Sequence, residues 1–102
     1  MVFVMDLKEL TQRMHTFVHS KGWYGSDSVK PQTPKNLAVS LVLEANEVLK
    51  LFQWSDELDS QGELASELAD VMLYLIQLAS VSQVDLEAAV LSKLNENYDR
   101  TW

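Results

Sequence analysis

Residues 60–80 read SQGELASELADVMLYLIQLAS, and this stretch predicts a helix with a wide apolar face. Ser60 is followed three residues later by Glu63, which is the capping-box pattern of a helix start. Residues 81–84 break the pattern. An apolar helix face must be buried against a neighbour, so the stretch predicts a fold of packed helices. The apolar positions at helical spacing are Leu64, Leu68, Val71, Met72, Leu75, Ile76 and Ala79.

Helical patterns on both sides of this stretch predict three further helices. Thr33 is the expected N-cap of the second helix, with Pro34 at its first position. Asp85 is the expected N-cap of the fourth. The sequence therefore predicts an all-α, four-helix bundle-like fold. Its first helix spans about residues 6–20, its second about residues 34–52, its third begins after Ser60 and its fourth begins after Asp85.

Composition places limits on the function. With 102 residues the chain has the length of one domain, and we expect residues 1–102 to form a single domain. Lys and Arg number 8 against 15 Asp and Glu, a net charge of −7, which argues against binding a nucleic acid polymer. The apolar N-terminus is too short for a signal-peptide core, and no stretch is expected to span a bilayer. We therefore expect a cytoplasmic protein without a membrane partner.

Two acidic pairs stand out. Glu44 and Glu47 lie three residues apart on the second predicted helix, and Glu67 and Asp70 lie three apart on the third. Residues at this spacing share a helix face, so each pair points two carboxylates in a common direction. Glu44 falls within the apolar stripe of its helix, where a solvated Glu is not expected.

A divalent cation is the expected partner of these acids. Burying unpaired like charges costs several kcal/mol, and the two helices supply only Lys35 and Lys50 as cations. The chain has no Cys, and these helices have no His, so the ligand set favours Mg²⁺, with Mn²⁺ as a substitute. A di-iron bundle is expected to use Glu-x-x-His, so we reject that alternative.

The ordered series of motifs resembles the MazG-like branch of the all-α nucleoside triphosphate pyrophosphohydrolases. The resemblance extends over about residues 6–100 and is strongest toward the short dCTP-pyrophosphatase-like and integron-type MazG proteins. The shared residues are Pro34-Lys35-Asn36-Leu37, Glu44-x-x-Glu47, Phe52-Gln53-Trp54, Glu67-Leu68-Ala69-Asp70-Val71, Tyr74, Val84-Asp85-Leu86, Lys93, Asn97 and Arg100.

The resemblance implies a Mg²⁺-dependent enzyme that cleaves nucleoside triphosphates, dCTP-like ones by preference, to the monophosphate and pyrophosphate. It implies a role in removing non-standard or surplus deoxynucleotides. The metal ligands implied are Glu44, Glu47, Glu67 and Asp70, and Glu44 or Glu47 is the expected acceptor of the water proton. The implied assembly is a homodimer or a dimer of dimers, which the wide apolar faces of helices two and three also favour.

Several other residues are candidates for substrate contacts. Lys93 and Arg100 have the charge to hold phosphate oxygens, and Asn97 lies one turn after Lys93. The hydroxyl of Tyr74 is expected near the sugar or a phosphate. The resemblance matches Trp23 and Trp54 to base-pocket positions, and Asn36 is either a cap residue or a substrate contact. His15 and His19 share a face and are expected at the surface.

Two alternatives remain open at this point. The chain is either an enzyme or a non-catalytic helical module whose acidic pairs are structural or dock a basic partner. Within the enzyme interpretation, dUTP and phosphoribosyl-ATP are alternative substrates on the same fold.

Overall fold

The computed structural model describes residues 5–102, and within that range the secondary structure is entirely helical. The all-α prediction with four helices is thus confirmed for the described residues. Most of the apolar N-terminal segment, residues 1–4, lies outside them. The helices are α1 (Leu7–Ser20), α2 (Pro34–Lys50), α3 (Gln61–Val81) and α4 (Leu86–Asp99).

Each helix begins at a side chain that caps a backbone amide of its first turn. This satisfies one of the amides that have no partner within the helix. The predicted end of α1 and the predicted break near the end of α3 agree with the structure, whereas α2 ends at Lys50 because residues 51–53 close tighter turns. The cap side chains are Asp6, Thr33, Ser60 and Asp85, which accept from the amides of Glu9, Asn36, Glu63 and Ala88.

The central helix of the fold is α3. It packs most extensively against α2, and it also contacts α1 and α4. Met14 and Val18 of α1 meet Ile76 of α3 in a buried apolar cluster. Trp23 and Tyr24, from the connection after α1, pack against the same cluster. The core therefore lies toward the C-terminal half of α3.

The single chain does not close into a complete bundle. Leu86 is half-buried, but Val90, Leu91 and Leu94 of α4 leave about half of their surface exposed. The exposed fraction is 67% for Val42 of α2. The bundle prediction thus holds for the number of helices, while the apolar sides of α2 and α4 remain open in one chain.

The expectation that no stretch is long and apolar enough to cross a bilayer is wrong by length and composition. Among the described residues, the 21-residue α3 meets both conditions. However, α3 carries Glu67 and Asp70 and packs against α1 and α2. The central helix of a bundle has the same composition, and we interpret α3 in that way.

The connection between α1 and α2 turns at a glycine after α1 and is anchored by hydrogen bonds near α2. Gly22 adopts a left-handed φ of +74°, which allows the chain to leave α1 and which a residue with a Cβ rarely adopts. Near the start of α2, the Asn36 Nδ2 donates a hydrogen bond of 2.9 Å to the carbonyl of Pro31. Gln32 Nε2 donates to the carbonyl of Lys30 at 2.6 Å.

Candidate functional site

Three carboxylates converge between α2 and α3. Glu44 comes from α2, and Glu67 and Asp70 come from one face of α3. One oxygen of each lies within 4.8 Å of the other two. The predicted convergence of acids from the two helices is therefore present for these three residues.

The electrostatics of this cluster favour a bound cation. Burial raises the pKa of the Glu44 carboxyl, and the negative charges of Asp70 and Glu67 raise it further. Oε2 of Glu67 is buried and has no hydrogen-bond partner among residues 5–102. An unpaired buried carboxylate oxygen is costly, and a hard divalent cation would satisfy it while relieving the repulsion.

Glu47 is not part of this cluster. Its side chain is exposed and forms an ion pair with Lys50 at 3.3 Å. In this arrangement the Glu47 carboxylate pairs with Lys50 and does not join the group of carboxylate oxygens that lie within 4.8 Å of one another. Its negative charge still contributes to the raised pKa of Glu44. The metal and proton-acceptor roles of Glu47 stay predictions.

A cavity of about 880 Å³ opens beside the carboxylates. It lies between α1, the connection that follows α1, α2 and α3. Asp70 belongs both to the carboxylate cluster and to the cavity wall, so the two features form one site. The other predicted site residues that line the cavity are Trp23, Asn36 and Tyr74.

Trp23 and Asn36 help to build the wall of the cavity. The ring of Trp23 packs edge-on against Phe17, with centroids 5.8 Å apart, and Lys30 Nζ lies 5.0 Å from its centroid. Asn36 binds the Pro31 carbonyl, so its amide is a loop anchor as well as a wall residue. Trp23 and Asn36 thus occupy positions from which both could contact a ligand.

Four of the predicted substrate-contact residues do not line this cavity. Trp54 leaves 90% of its surface exposed in the turn after α2. Lys93 pairs with Glu96 at 3.4 Å, and Arg100 stacks over the ring of Trp102 at 4.1 Å from its centroid. Asn97 is half-buried, and its Oδ1 has no partner among the described residues. Within one chain, none of these four side chains lines the cavity that Asp70 borders.

A polar network that reaches the cavity wall through Gln77 and Gln32 was not predicted. His15 lies between Tyr24 and Ser80, with Nδ1 2.6 Å from the hydroxyl of Tyr24 and Nε2 2.6 Å from that of Ser80. The expectation that His15 is a surface residue is therefore wrong, because it joins α1 to α3. Gln77 donates to Tyr24 and to Gln32. The signal available in the sequence was a lone Gln inside the apolar run of α3.

The network makes folding sensitive to mild acid. Burial lowers the pKa of His15 from 6.5, and the nearby His19 lowers it further. Below pH 6.5 the unfolded chain therefore binds more protons than the folded one, and stability falls until the pH passes the lowered pKa. We expect His15 to contribute a decrease in melting temperature from pH 7.5 to 5.5, which the raised pKa of the Glu44 carboxyl opposes. His15→Gln should reduce this decrease, whereas His19→Gln should retain most of it; an equal decrease in wild type and His15→Gln would contradict the assignment.

Comparisons with known proteins agree with this architecture. Residues 32–101 match the family described as MazG nucleotide pyrophosphohydrolase domain. The chain is 38% identical over 76 residues to dCTP pyrophosphatase 1 of Rattus norvegicus and 40% identical to that of Homo sapiens. Each match covers 66% of this chain and 45% of the relative, so the chain spans less than half the length of these relatives. The crystal structure of a pyrophosphatase from Archaeoglobus fulgidus superposes with a TM-score of 0.77 at 34% identity, covering 95% of this chain and 93% of the other.

Proposed function

The chain belongs to the MazG nucleotide pyrophosphohydrolase family, as its motifs implied, and we propose that it hydrolyses nucleoside triphosphates to the monophosphate and pyrophosphate. The observation that carries this proposal is the convergence of Glu44, Glu67 and Asp70 at the edge of the cavity. Acids that hold a cation beside a nucleotide-sized space meet the main need of phosphoryl transfer, which is charge neutralisation with correct positioning.

The donor set fits a hard divalent cation, for which we propose Mg²⁺ with Mn²⁺ as a substitute. Glu44, Glu67 and Asp70 would hold it, because their oxygens lie close together and Oε2 of Glu67 is buried without a partner among the described residues. When bound, such an ion neutralises phosphate charge and lowers the pKa of a coordinated water. Glu47 would complete the ligand set after a change of side-chain rotamer away from Lys50.

Side chains of the protein would carry out the proton transfer and bind the substrate. Glu44 or Glu47 would accept the proton of the attacking water. The hydroxyl of Tyr74, one turn after Asp70 on α3, would contact the sugar or a phosphate. Lys93 and Arg100 would bind phosphate oxygens, with Asn97 between them on α4.

We propose that the active assembly is a homodimer or a dimer of dimers. The apolar side chains exposed on α2 and α4 support it, because a soluble chain of this size gains stability by covering them. The positions of Trp54, Lys93 and Arg100 away from the cavity of their own chain also support it. We further propose that residues 1–102 act as one domain in the cytoplasm.

For the substrate we propose a dCTP-like deoxynucleotide, and for the role the removal of surplus or non-standard nucleotides. The relatives from rat and human are named dCTP pyrophosphatase 1. The indole of Trp23 at the cavity wall supports a nucleotide ligand in general, because an aromatic side chain can stack on any base.

A nucleotide panel tests the proposed function. The protein with Mg²⁺ is incubated separately with dCTP, dUTP, dATP and phosphoribosyl-ATP, and pyrophosphate and orthophosphate are measured. We expect pyrophosphate from dCTP, no direct orthophosphate, and loss of activity with EDTA. Mg²⁺ should also raise the melting temperature, because a ligand that binds only the folded state stabilises it. No pyrophosphate from any nucleotide and no Mg²⁺-dependent stabilisation would instead support a non-catalytic helical module.

A further inference from the structure

Gln77 is a buried polar residue on the wall of the cavity. Its exposed fraction is 3%, and it lies in the apolar stretch of α3 between Ile76 and Leu78. Given the proposed function, on which this inference rests, we propose that Gln77 selects the base of the nucleotide. Its Oε1 would accept a hydrogen bond from an exocyclic amino group, so the favoured substrates carry an amino-bearing base such as cytosine and not uracil or thymine.

The orientation of the Gln77 amide follows from a chain of hydrogen bonds. The carbonyl of Lys30 can only accept, so Gln32 presents Nε2 to it, at 2.6 Å. Gln32 therefore presents its acceptor, Oε1, to Gln77. Gln77 must then donate from Nε2, and this hydrogen bond is 2.8 Å long. A flipped Gln77 would place two acceptors against each other. Its Oε1 is thus the atom left without a partner among the described residues.

The same amide nitrogen makes a second contact, which is compatible with this orientation. Gln77 Nε2 also donates to the hydroxyl of Tyr24 at 3.2 Å. That hydroxyl is fixed by Nδ1 of His15 at 2.6 Å, and His15 is fixed in turn by Ser80. Both donor positions of the Gln77 amide group are therefore occupied by the protein. Oε1 of Gln77 is therefore the atom of this amide that can bind a ligand, and it can only accept a hydrogen bond.

The position of Gln77 along α3 suits contact with the base. Asp70, Tyr74 and Gln77 lie on one face of the helix and all line the cavity. At 1.5 Å per residue, Gln77 is about 10 Å along the axis from Asp70. A nucleotide whose phosphates lie at the carboxylate cluster would extend its sugar past Tyr74 and its base toward Gln77.

The chemistry of the buried amide predicts strong discrimination. Cytosine carries an amino group at C4 that can donate to Oε1, whereas uracil carries a carbonyl at the same place. Two facing acceptors with no water between them leave both unsatisfied, and buried polar sites reject such analogues by large factors. We expect kcat/KM for dCTP to exceed that for dUTP by about 100-fold or more.

Variants of the two glutamines test the proposal, with Met as a replacement of similar shape that lacks the amide. Gln77→Met should bring the dCTP-to-dUTP ratio of kcat/KM close to one. Gln32→Met, which frees the Gln77 amide to rotate, should reduce the ratio by about tenfold. Gln12→Met, at an exposed position on α1 that does not line this cavity, should leave the ratio at the wild-type value. An unchanged ratio in a folded Gln77→Met protein would overturn the proposal.

Binding of the products separates this proposal from the proposed function. Calorimetry with dCMP and dUMP requires no turnover and no variant that might fold poorly. We expect wild type to bind dCMP more tightly than dUMP. This preference without pyrophosphate release from any nucleotide would support base selection and refute the hydrolase. Equal binding of dCMP and dUMP, with equal hydrolysis of dCTP and dUTP, would refute base selection and leave the hydrolase intact.

Discussion

Replacing Glu44 with Gln is expected to reduce Mg²⁺-dependent pyrophosphate release by about 100-fold or more while making the metal-free protein more stable. The loss of activity follows because a charged ligand of the cation disappears, and an interaction of several kcal/mol corresponds to about two orders of magnitude in rate. The gain in stability follows because burial and the charges of Asp70 and Glu67 already disfavour ionised Glu44 in the folded state. Removing that charge relieves the repulsion.

The measurements are steady-state pyrophosphate release at saturating nucleotide and thermal melts with and without Mg²⁺. Wild type should be stabilised by Mg²⁺, whereas Glu44→Gln should lose most of that gain. Glu9→Gln is the matched control, because Glu9 is an exposed acid on α1 outside the carboxylate cluster and the cavity wall. Wild-type turnover in a folded Glu44→Gln protein would refute the assignment of Glu44 as a metal ligand.

The Ile76→Ala variant is expected to lose about 2–5 kcal/mol of the free energy of unfolding. Ile76 is 2% exposed and lies where α1 packs on α3, in contact with the cluster that contains Met14 and Val18. Truncation removes buried apolar surface and leaves a cavity that the surrounding side chains fill only in part. A domain of this size has a total stability of about 5–15 kcal/mol, so the variant should lose a large fraction of its stability.

Urea unfolding followed by circular dichroism measures this loss. Val29→Ala serves as the comparison, because Val29 leaves 91% of its surface exposed in the connection between α1 and α2. Its change should stay within about 0.5 kcal/mol. A midpoint for Ile76→Ala equal to that of wild type would show that the α1–α3 contact is not the stabilising core of the fold.

The sequence was sufficient to predict the helices and their starting points. Thr33, Ser60 and Asp85 cap helices as expected, because a capping side chain acts on an amide only three residues away and its geometry is local. The convergence of Glu44 with Glu67 and Asp70 could also be predicted, since it needs only two apolar faces that bring α2 and α3 together. These features depend on short-range spacing or on a single helix pair.

The site features that the sequence did not predict depend on side-chain pairing, on the exact end of a helix and on contacts between segments far apart in the chain. Glu47 shares a motif with Glu44, yet its carboxylate pairs with Lys50 and does not join the cluster. Trp54 follows α2 in the chain, but α2 ends at Lys50 and the following turns direct the indole into solvent. The contacts of Gln77 with Gln32 and Tyr24 join residues 45 and 53 positions apart. Periodicity within one helix carries no information about such contacts.

The anchoring of the connection between α1 and α2 has a consequence for how this protein can change over evolution. The two anchoring hydrogen bonds, from Asn36 to Pro31 and from Gln32 to Lys30, lie near its junction with α2. Residues 25–28 precede these hydrogen bonds. The entropic cost of lengthening a loop grows only slowly with its length. Insertions there can accumulate and reshape the rim of the cavity without moving Gln32. Descendants of this sequence could therefore acquire new ligand preferences at the rim of the cavity. The positions of Gln32 and Gln77, which we propose select the base, would stay unchanged.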